Sequence, residues 1–360
     1  MANTFNTNTF FSDLVVVELA SVLAGPSVGL FFRECGARVI KIENKRSNGD
    51  VTRTWQNSRE NIADIPAYYA SINQGKEIRM LDMNSEEDLA QLEACISEAD
   101  IVISNFKASA AQRWNVEAHQ LRERFPSLIV GQIDAFADAP NRVAYDIVLQ
   151  AEAGYLSMNG SANEPARLPV AFIDILAGHQ LKEGILLALM QRAKTGNGAI
   201  VKVDLLEAAV GALANQASNY LMSGMIPSAQ GTLHPNIAPY GEWFNCADDK
   251  RLVLAVGSAI QFEKLLGCLG LGELMNDARF SDNAARVKHR KALADYFRPV
   301  FQQQTREYWT TALHALQVPC GAMLNMEEVF QGKAGEWVNQ IEIETTITRA
   351  VRTVNFHIES

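Results

Sequence analysis

The first candidate for chemistry is an acidic residue inside an apolar run. Asp174 interrupts the stretch LPVAFIDILAGHQLKEGILLALMQ, residues 168 to 191. Because a lone ionised carboxylate is costly to bury, such a residue is paired, exposed or used in a reaction. One hypothesis is that Asp174 caps the helix predicted from the residues that follow it. The other is that its carboxylate takes part in catalysis.

Cysteine and histidine give no comparable signal. The cysteines form no CxxC pair and have no nearby histidine at ligand spacing, which disfavours both a disulfide framework and a structural zinc site. They are Cys35, Cys95, Cys246, Cys268 and Cys320. The sequence therefore predicts no metal site.

Composition excludes several classes of partner. The chain has 360 residues, 48% of them hydrophobic, and a formal net charge of −9. Without a basic run, this charge argues against nucleic acid as a partner. The N-terminus lacks the pattern of a signal peptide, and no run reaches the roughly 18 apolar residues of a membrane span. We therefore expect a globular, cytoplasmic protein with no membrane partner and a length sufficient for two domains.

The elements that position Asp174 follow from an alternation of short β-branched runs and helical stretches. Strands are predicted for LVVVELA, ARVIKIE, ADIVISNF and LIVGQIDAF, with helices between them that include PSVGLFFREC, SEEDLAQLEACISEA and AAQRWNVEAHQLRERF. This order is typical of an α/β fold with a Rossmann-like, doubly wound large domain.

The pattern changes from about Ala199. The stretch IVKVDLLEAAVGALANQASNYLM predicts a helix-rich exit, and a segment rich in Gly, Pro and Ser follows it as a linker. Beyond the linker, EWFNCADDKRLVLAVG predicts an antiparallel hairpin and residues 260–317 predict helices. These elements indicate a second, smaller α/β domain.

A dinucleotide-binding enzyme is one alternative for the first β-α-β unit. Glu43 at the end of the second strand fits a ribose contact, but the segment Ala24–Gly29 lacks the G-x-G-x-x-G order. Pro26 also removes a backbone N–H where a pyrophosphate needs a donor. The motif therefore disfavours an NAD-dependent oxidoreductase.

Five blocks in the same order resemble the family III CoA-transferases, also called the CaiB/BaiF family. They are VVELASVLAGPSVGLFFRECGARVIKIENKRSNGDVTRTW, SINQGKEIRMLDM, ADIVISNFKASAAQRW, YDIVLQAEAGYLSMNG and DILAGHQLKEGILLALMQRAKTGNG. The family includes formyl-CoA:oxalate and carnitine CoA-transferases, and its relatives include α-methylacyl-CoA racemases. The resemblance implies CoA transfer from an acyl-CoA donor to a small carboxylic acid, with CoA thioesters as substrates and no tightly bound cofactor.

The resemblance also implies that Asp174 is the nucleophile. Its carboxylate would form an aspartyl anhydride with the donor acyl group and then an aspartyl-CoA thioester. The apolar neighbours would exclude water that hydrolyses such intermediates. At a helix start, the positive end of the helix dipole would keep Asp174 ionised.

Further residues are assigned from their positions in the matching blocks. The expected CoA contacts are Val22, Leu23 and Ala24 beside the thioester, Lys45 and Arg46 near the adenine or its 3′-phosphate, and Asn73, Lys76, Asn105 and Arg113. For each side chain the alternative is an ordinary surface residue.

Tyr145 separates transfer from racemisation. The resemblance implies a histidine at this place in racemases, whereas tyrosine, with a pKa near 10, is a poor proton shuttle. Tyr145 is instead expected to contact the acyl group or acceptor, or merely to pack at a strand end. His234 is a second expected substrate contact, with an ordinary loop histidine as its alternative. An α-methylacyl-CoA racemase and a non-catalytic CoA-binding protein stay open as alternative functions.

The family architecture completes the expectation. It divides the chain into a large CoA-binding domain (1–205), a helical exit and linker (206–238), a small domain (239–322) and a return linker (323–360). We expect the chain to stop inside that return linker, which would leave apolar surface of the large domain uncovered. The resemblance further implies an interlocked homodimer whose active site is shared by the large domain of one subunit and the small domain of the other.

Overall fold

The computed structural model describes residues 9–61, 64–139, 142–161, 163–356 and 358. The chain forms two compact units. The first comprises Met1–Leu156, Arg167–Pro227 and Glu336–Ser360, and the second comprises Ser157–Ala166 and Ser228–Gly335. None of the helices in the described ranges combines the length and hydropathy that a bilayer crossing requires.

The first unit is built on a six-stranded parallel sheet. Its strands are Val15–Leu19 (β1), Arg38–Asn44 (β2), Glu77–Leu81 (β3), Ile101–Ser104 (β4), Ile129–Asp134 (β5) and Ile200–Asp204 (β6). The strand order is β3-β2-β1-β4-β5-β6. The chain therefore leaves β1 toward one edge and returns to its other side at β4, where loops diverge at the carboxyl ends of the strands.

Helices connect and cover these strands. They are Ala24–Glu34 (α1), Ala67–Asn73 (α2), Glu86–Ser97 (α3), Ala108–Arg113 (α4), Ala118–Arg124 (α5), Asp146–Glu152 (α6), Tyr155–Met158 (α7), Phe172–Thr195 (α8), Leu205–Gly211 (α9) and Ala214–Ser223 (α10). Short 3₁₀ helices at Lys45–Ser47 and Val51–Thr54 follow β2.

Both faces of the sheet are buried. Val16 and Ile101 pack with α1, α8 and α9 on one face, whereas Val17 and Val102 pack with α3, α4 and α5 on the other. Successive strand residues point to opposite faces, so the continuous apolar runs of the sequence are what a two-sided parallel sheet requires. The predicted α/β fold with a parallel sheet is confirmed.

Two predicted helical stretches are wrong in detail. The helix-rich exit predicted from residue 200 begins with a strand, β6, because Ile200, Val201 and Val203 favour extended backbone beside β5. The side chain of Asp204 then accepts the amide of Glu207 and starts α9. The single helix predicted over residues 110–125 is also two helices, α4 and α5, separated by Asn115 at φ 53°.

The second unit contains a three-stranded antiparallel sheet of Tyr240–Asn245 (β7), Arg251–Ala255 (β8) and Cys320–Ala322 (β9). Its helices are Ala259–Leu269 (α11), Asn283–Lys288 (α12), Arg290–Phe301 (α13), Arg306–Ala315 (α14) and Met326–Gln331 (α15). Phe244, Phe262, Phe297 and Phe301 are buried in its core. The predicted hairpin and the helical region after it are both confirmed.

The C-terminal segment belongs to the first unit. Val338–Ile343 (β10) and Thr346–Val351 (β11) form an antiparallel hairpin. Gln74 donates to the hydroxyl of Thr348 at 2.9 Å, and the carboxylate of Glu34 accepts the amides of Thr353 and Val354. These contacts attach the hairpin to α2 and to the end of α1.

Candidate active site

Asp174 lies in the first turn of α8, as its third residue. The N-cap is Ala171, so the hypothesis that Asp174 caps the helix is wrong. Asp146 takes over that function, because its carboxylate accepts the amide of Ile173 at 2.7 Å. Asp174 is only 9% exposed, and its carboxylate makes no hydrogen bond or ion pair with any residue that the structure describes.

The environment of Asp174 opposes its charge. Burial, and in second place the nearby carboxylate of Asp146, raise the pKa of Asp174 to about 7. Burial thus opposes the effect expected of the helix dipole, and this carboxyl is less readily ionised than that of an exposed aspartic acid. A carboxyl with a pKa near neutrality, buried and without a partner, is a functional-site candidate.

The loop after β1 is fixed beside Asp174 by three buried or partly buried side chains. Lys41 donates to the carbonyl of Ala20 at 2.7 Å. Asn105 pairs with both the amide and the carbonyl of Ser21, at 3.2 and 3.0 Å. Asp50 accepts the amide of Val22 at 3.2 Å.

Val22 has a φ of 71°, which is rare for a β-branched residue. Such strain persists only where surrounding contacts hold it. The bond from Asp50 is such a contact, so the conformation of the loop is imposed by the residues beneath it.

A buried charge network lies under this loop. Lys41 is 2.9 Å from Glu18 and 3.1 Å from Asp50, and Lys76 is 2.7 Å from Glu18. All four side chains are at most 1% exposed. Burial lowers the pKa of Lys41, but Glu18 and Asp50 outweigh it, so the pKa of Lys41 is raised overall.

Two of the expected CoA contacts lie inside this network. The ammonium of Lys76 is bound by Glu18, the carbonyl of Pro26 and the side chain of Asn73, and burial lowers its pKa to about 8. Asn73 is itself 1% exposed. Because every one of these groups faces the interior, the structure does not support direct contacts of Lys76 or Asn73 with a ligand.

The remaining cations expected to contact CoA are at the surface. Lys45 and Arg46 are exposed on the 3₁₀ helix after β2, and Arg46 forms an ion pair with Asp82. Arg113 is exposed at the end of α4. Their roles as ligand contacts stay predictions.

Three cavities share residues along the carboxyl ends of the strands. The first, of about 370 Å³, lies between the ends of β1 and β2 and has Ile42, Phe106 and Trp114 among its walls. The second, of about 430 Å³, shares Ser21, Val51 and Phe106 with the first. The third, of about 650 Å³, lies beyond the loop after β1.

Asp174 stands where the second and third cavities meet. Both cavities are lined by Val22, Leu23, Tyr145 and Asp174. Ala24 and Asn105 line the second cavity alone. The structure thus brings five of the predicted site residues, Val22, Leu23, Ala24, Asn105 and Tyr145, to the cavities at Asp174.

The third cavity has an aromatic wall that the sequence analysis missed. The ring of Trp55 lies 5.1 Å from that of Tyr68 and 6.1 Å from that of Tyr145. Burial, followed by the charge of Asp174, raises the pKa of Tyr68 to about 12, so its phenol stays protonated. Arg167, also missed, lines the same cavity.

His234 lies in the second unit. Its ring packs against Tyr240 with 5.0 Å between ring centroids, and its Nδ1 accepts the amide of Asn236. These contacts give it a structural role in its loop, and a contact with substrate stays a prediction. Across the described residues, no three His, Cys, Asp or Glu side chains are grouped closely enough to hold a metal ion.

Comparisons with known proteins identify the family of this chain. The sequence profile of CoA-transferase family III matches residues 11–358. The succinate–glutarate CoA-transferase of Agrobacterium fabrum is 35% identical over 89% of this chain and 81% of its own length. The acetyl-CoA:oxalate CoA-transferase of Acetobacter aceti is 29% identical over 88% of this chain and 82% of its own length.

A solved structure supports the same assignment. The crystal structure of a CAIB/BAIF family protein from Brucella suis superimposes with a TM-score of 0.81 and 35% identity, covering 95% of this chain and 91% of that one. The profile match extends over nearly the whole chain and the parallel sheet is shared. The chain therefore belongs to CoA-transferase family III and is a CoA-transferase.

Proposed function

We propose that Asp174 is the nucleophile of a CoA transfer between an acyl-CoA donor and a small carboxylic acid. The observation that carries this proposal is a buried carboxylate without a partner in the described chain, placed where two cavities meet. A carboxylate suits this chemistry because it exchanges acyl and CoA partners without losing the activated carbonyl.

In every intermediate an acyl group remains activated as a thioester or an anhydride. The Asp174 carboxylate attacks the thioester carbonyl of the donor, the C–S bond breaks and CoA leaves as the thiolate. The thiolate attacks the aspartyl carbonyl of the resulting mixed anhydride, which releases the donor acid and leaves an aspartyl-CoA thioester. The acceptor carboxylate attacks the carbonyl of that thioester, the C–S bond breaks, and CoA thiolate leaves a second mixed anhydride behind. The thiolate then attacks the acceptor carbonyl of this anhydride and displaces the Asp174 carboxylate. The acceptor leaves as acyl-CoA and Asp174 is regenerated.

The connected cavities suit an elongated thioester. CoA would occupy the first and second cavities, where the apolar walls of the first suit its adenine and Asn105 and the loop after β1 flank the second. Its thioester would then lie at Asp174, with the acyl group in the third cavity. The low exposure of Asp174 supports the survival of an anhydride, because it limits the access of water.

The relatives suggest the substrate class. The names of these two enzymes refer to succinate, glutarate and oxalate, each of which carries two carboxyl groups. We propose that this enzyme also transfers CoA between small dicarboxylic acids.

Transfer explains the site better than racemisation does. A racemase needs a second acid–base group beside the α-carbon. No histidine lines the second or third cavity within the described chain, and Tyr145 is a phenol that is 58% exposed. CoA binding without catalysis would not account for a buried carboxyl group whose pKa is raised.

A homodimer is part of the proposal. We define the α10 patch as Tyr220, Leu221, Met222, Met225 and Ile226, of which Leu221 is 78% and Met222 is 87% exposed. Consecutive large apolar residues at such exposure are unusual for the free surface of a monomer. A second copy of the chain would cover this patch, and interlocking of the two chains is the arrangement that we propose from the family.

The decisive experiment compares Asp174→Asn with wild type on a panel of acyl-CoA donors and free acids. New thioesters are measured by mass spectrometry on freshly purified protein, before the amide can deamidate. We expect loss of at least about 10³-fold in turnover, because an amide is not a nucleophile. The exposed Glu207 gives a matched control, and Glu207→Gln should transfer CoA normally.

Trapping supplies the second readout. After incubation with donor, hydroxylamine should modify the peptide that contains Asp174, because the anhydride and the thioester are the activated carbonyls expected there. Label found only on a cysteine, or near-normal transfer by Asp174→Asn, would contradict the covalent mechanism.

A further inference from the structure

We infer that Arg167 binds the distal carboxylate of a dicarboxylic acid whose other carboxyl group reacts at Asp174. This inference rests on the proposed function and assigns a residue that determines specificity within it. Arg167 lines the third cavity together with Asp174, Tyr145 and Trp55.

Arg167 is free to bind a ligand. Its side chain is exposed and makes no hydrogen bond or ion pair with any residue in the described ranges. Arg142, which lines the second cavity, differs in this respect. It forms an ion pair with Glu152, and its guanidinium lies 4.1 Å from the centre of the Phe136 ring. Arg142 is therefore already engaged, whereas Arg167 is available.

The acidic residues that line the third cavity would favour a cation beside a bound dianion. Asp174 and Asp146 both line it, and two carboxylates would repel an incoming dianion. Arg167 is the one Lys or Arg side chain among the described residues of this lining. A guanidinium presents paired N–H groups that match a carboxylate, which provides both charge and orientation.

The rest of the wall suits the carbon chain between two carboxyl groups. Trp55, Ile147 and Val170 supply aromatic or aliphatic surface, and the cavity volume of about 650 Å³ exceeds what a short acyl chain needs. An acid anchored at one end by Arg167 would present its other carboxyl group to Asp174. A monocarboxylic acid of equal length would lack the anchor and bind less well.

The test compares acids that differ only in the distal charge. Glutarate and its half-amide, 4-carbamoylbutanoate, serve as acceptors for wild type, Arg167→Gln and Arg167→Lys, with succinyl-CoA saturating as donor. Lys194→Gln, at the exposed far end of α8, is the control. Because the exposed side chain of Arg167 makes no hydrogen bond or ion pair with any described residue, we expect all variants to melt like wild type.

We expect wild type to prefer glutarate over the half-amide. In Arg167→Gln, kcat/KM for glutarate should fall by about tenfold to hundredfold, chiefly through KM, with less than about twofold change for the half-amide. Arg167→Lys should keep part of the preference, because it keeps the charge but loses the paired donors. Calorimetric titration with glutarate should show the same order of affinities.

The outcomes separate this inference from the proposed function. Equal loss for both acids, no loss in Arg167→Gln, or no preference in wild type would overturn the role of Arg167. In each of these cases the donor should still label Asp174 in wild type. Absence of that label, together with absence of transfer to any acid, would instead refute the proposed nucleophile and this inference with it.

Discussion

If Asp174 is the nucleophile, as we propose, its pKa should set the pH dependence of the reaction. Only the ionised carboxylate attacks a thioester, and burial raises its pKa to about 7. We therefore expect kcat/KM, which reports the free enzyme, to fall about tenfold for each pH unit below that value and to level off above it. Initial rates measured from pH 5 to 9 give the dependence of kcat/KM on pH. A profile that is flat down to pH 5 would contradict the raised pKa.

The same pKa predicts a gain in stability when the charge is removed. In an unfolded chain Asp174 ionises near pH 4, whereas in the folded protein it ionises near pH 7. The carboxyl therefore contributes stability below about pH 4, and that contribution is lost progressively between pH 4 and 7. Asp174→Asn should be more stable than wild type at pH 8, by up to about 4 kcal/mol, and equal near pH 4. Denaturant unfolding of both proteins at pH 4 and pH 8 measures the difference in their free energies of unfolding.

Asp50 gives a residue-scale prediction for the loop after β1. Asp50→Asn removes an ion-pair partner of buried Lys41 and weakens the contact to strained Val22. Loss of one member of a buried ion pair lowers the free energy of unfolding by about 3 kcal/mol. We also expect kcat to fall at temperatures where the variant is still folded. Unfolding and steady-state kinetics below the melting range measure both. As a control, Glu77→Gln at a partly exposed pair with Arg38 should cost less than about 1 kcal/mol of stability. Equal effects in the two variants would show that Asp50 does not hold the loop after β1.

Sequence indicates some of these residues and not others, for a physical reason. Asp174 stands out because a carboxylate in an apolar run is costly wherever the run is buried. Asp50 and Arg167 look like ordinary polar residues, since their surroundings come from segments distant in sequence. Lys76 misleads for the same reason. A lysine in a matching block suggests a phosphate contact, but Glu18, 58 positions away, binds it inside the fold.

At the scale of elements, close packing of α1 on α8 positions Asp174. Gly178 lies one helical turn after Asp174, and a methyl group at this glycine would meet the hydroxyl of Ser27 at 2.4 Å. The carbonyl of Ala24, at the start of α1, lies 3.1 Å from the same point. Glycine here therefore keeps Asp174 near the loop after β1.

Gly178→Ala should separate the two helices. We expect a loss of stability of about 1–3 kcal/mol and a fall in kcat, because Asp174 moves with α8. Thermal unfolding and turnover at saturating donor measure the two effects. Gly267 in α11 is the control, since no atom of the described residues lies within 4 Å of the added methyl group and alanine favours helix. A Gly178→Ala enzyme with wild-type turnover would show that this packing does not position the nucleophile.

Helices and strands can be predicted from the sequence where the hydrophobic periodicity agrees with the residues that begin or end an element. The strand–helix–strand start and the hairpin of β7 and β8 follow from β-branched runs bounded by turn residues. The strand β6 was missed because five extended residues precede a longer helical pattern, and only pairing with β5 distinguishes them. The break after α4 depends on Asn115 in the left-handed region, which asparagine tolerates but does not require.

At the scale of the whole molecule, the first unit is assembled from segments far apart in the chain. The hairpin of β10 and β11 is too small to be stable alone, and it is bound to α2 through Gln74 and Thr348. Arg53 links the two parts further, since it pairs with Glu43 in β2 and with Glu344 at the hairpin turn. The C-terminal segment is thus coupled to the residues that support the site.

The α10 patch supplies the prediction at this scale. We expect wild type to have twice the chain mass of 39.6 kDa in solution, because in the proposed dimer a second copy would cover the exposed Leu221 and Met222. The double variant Leu221→Glu/Met222→Glu places charge in that interface and should shift the protein toward the monomer, with loss of activity if the site is shared. Ile260→Glu, at an exposed apolar residue of the second unit, should leave the dimer intact. Light scattering and sedimentation give the masses, and a well-behaved wild-type monomer with full activity would refute both the dimer and the shared site.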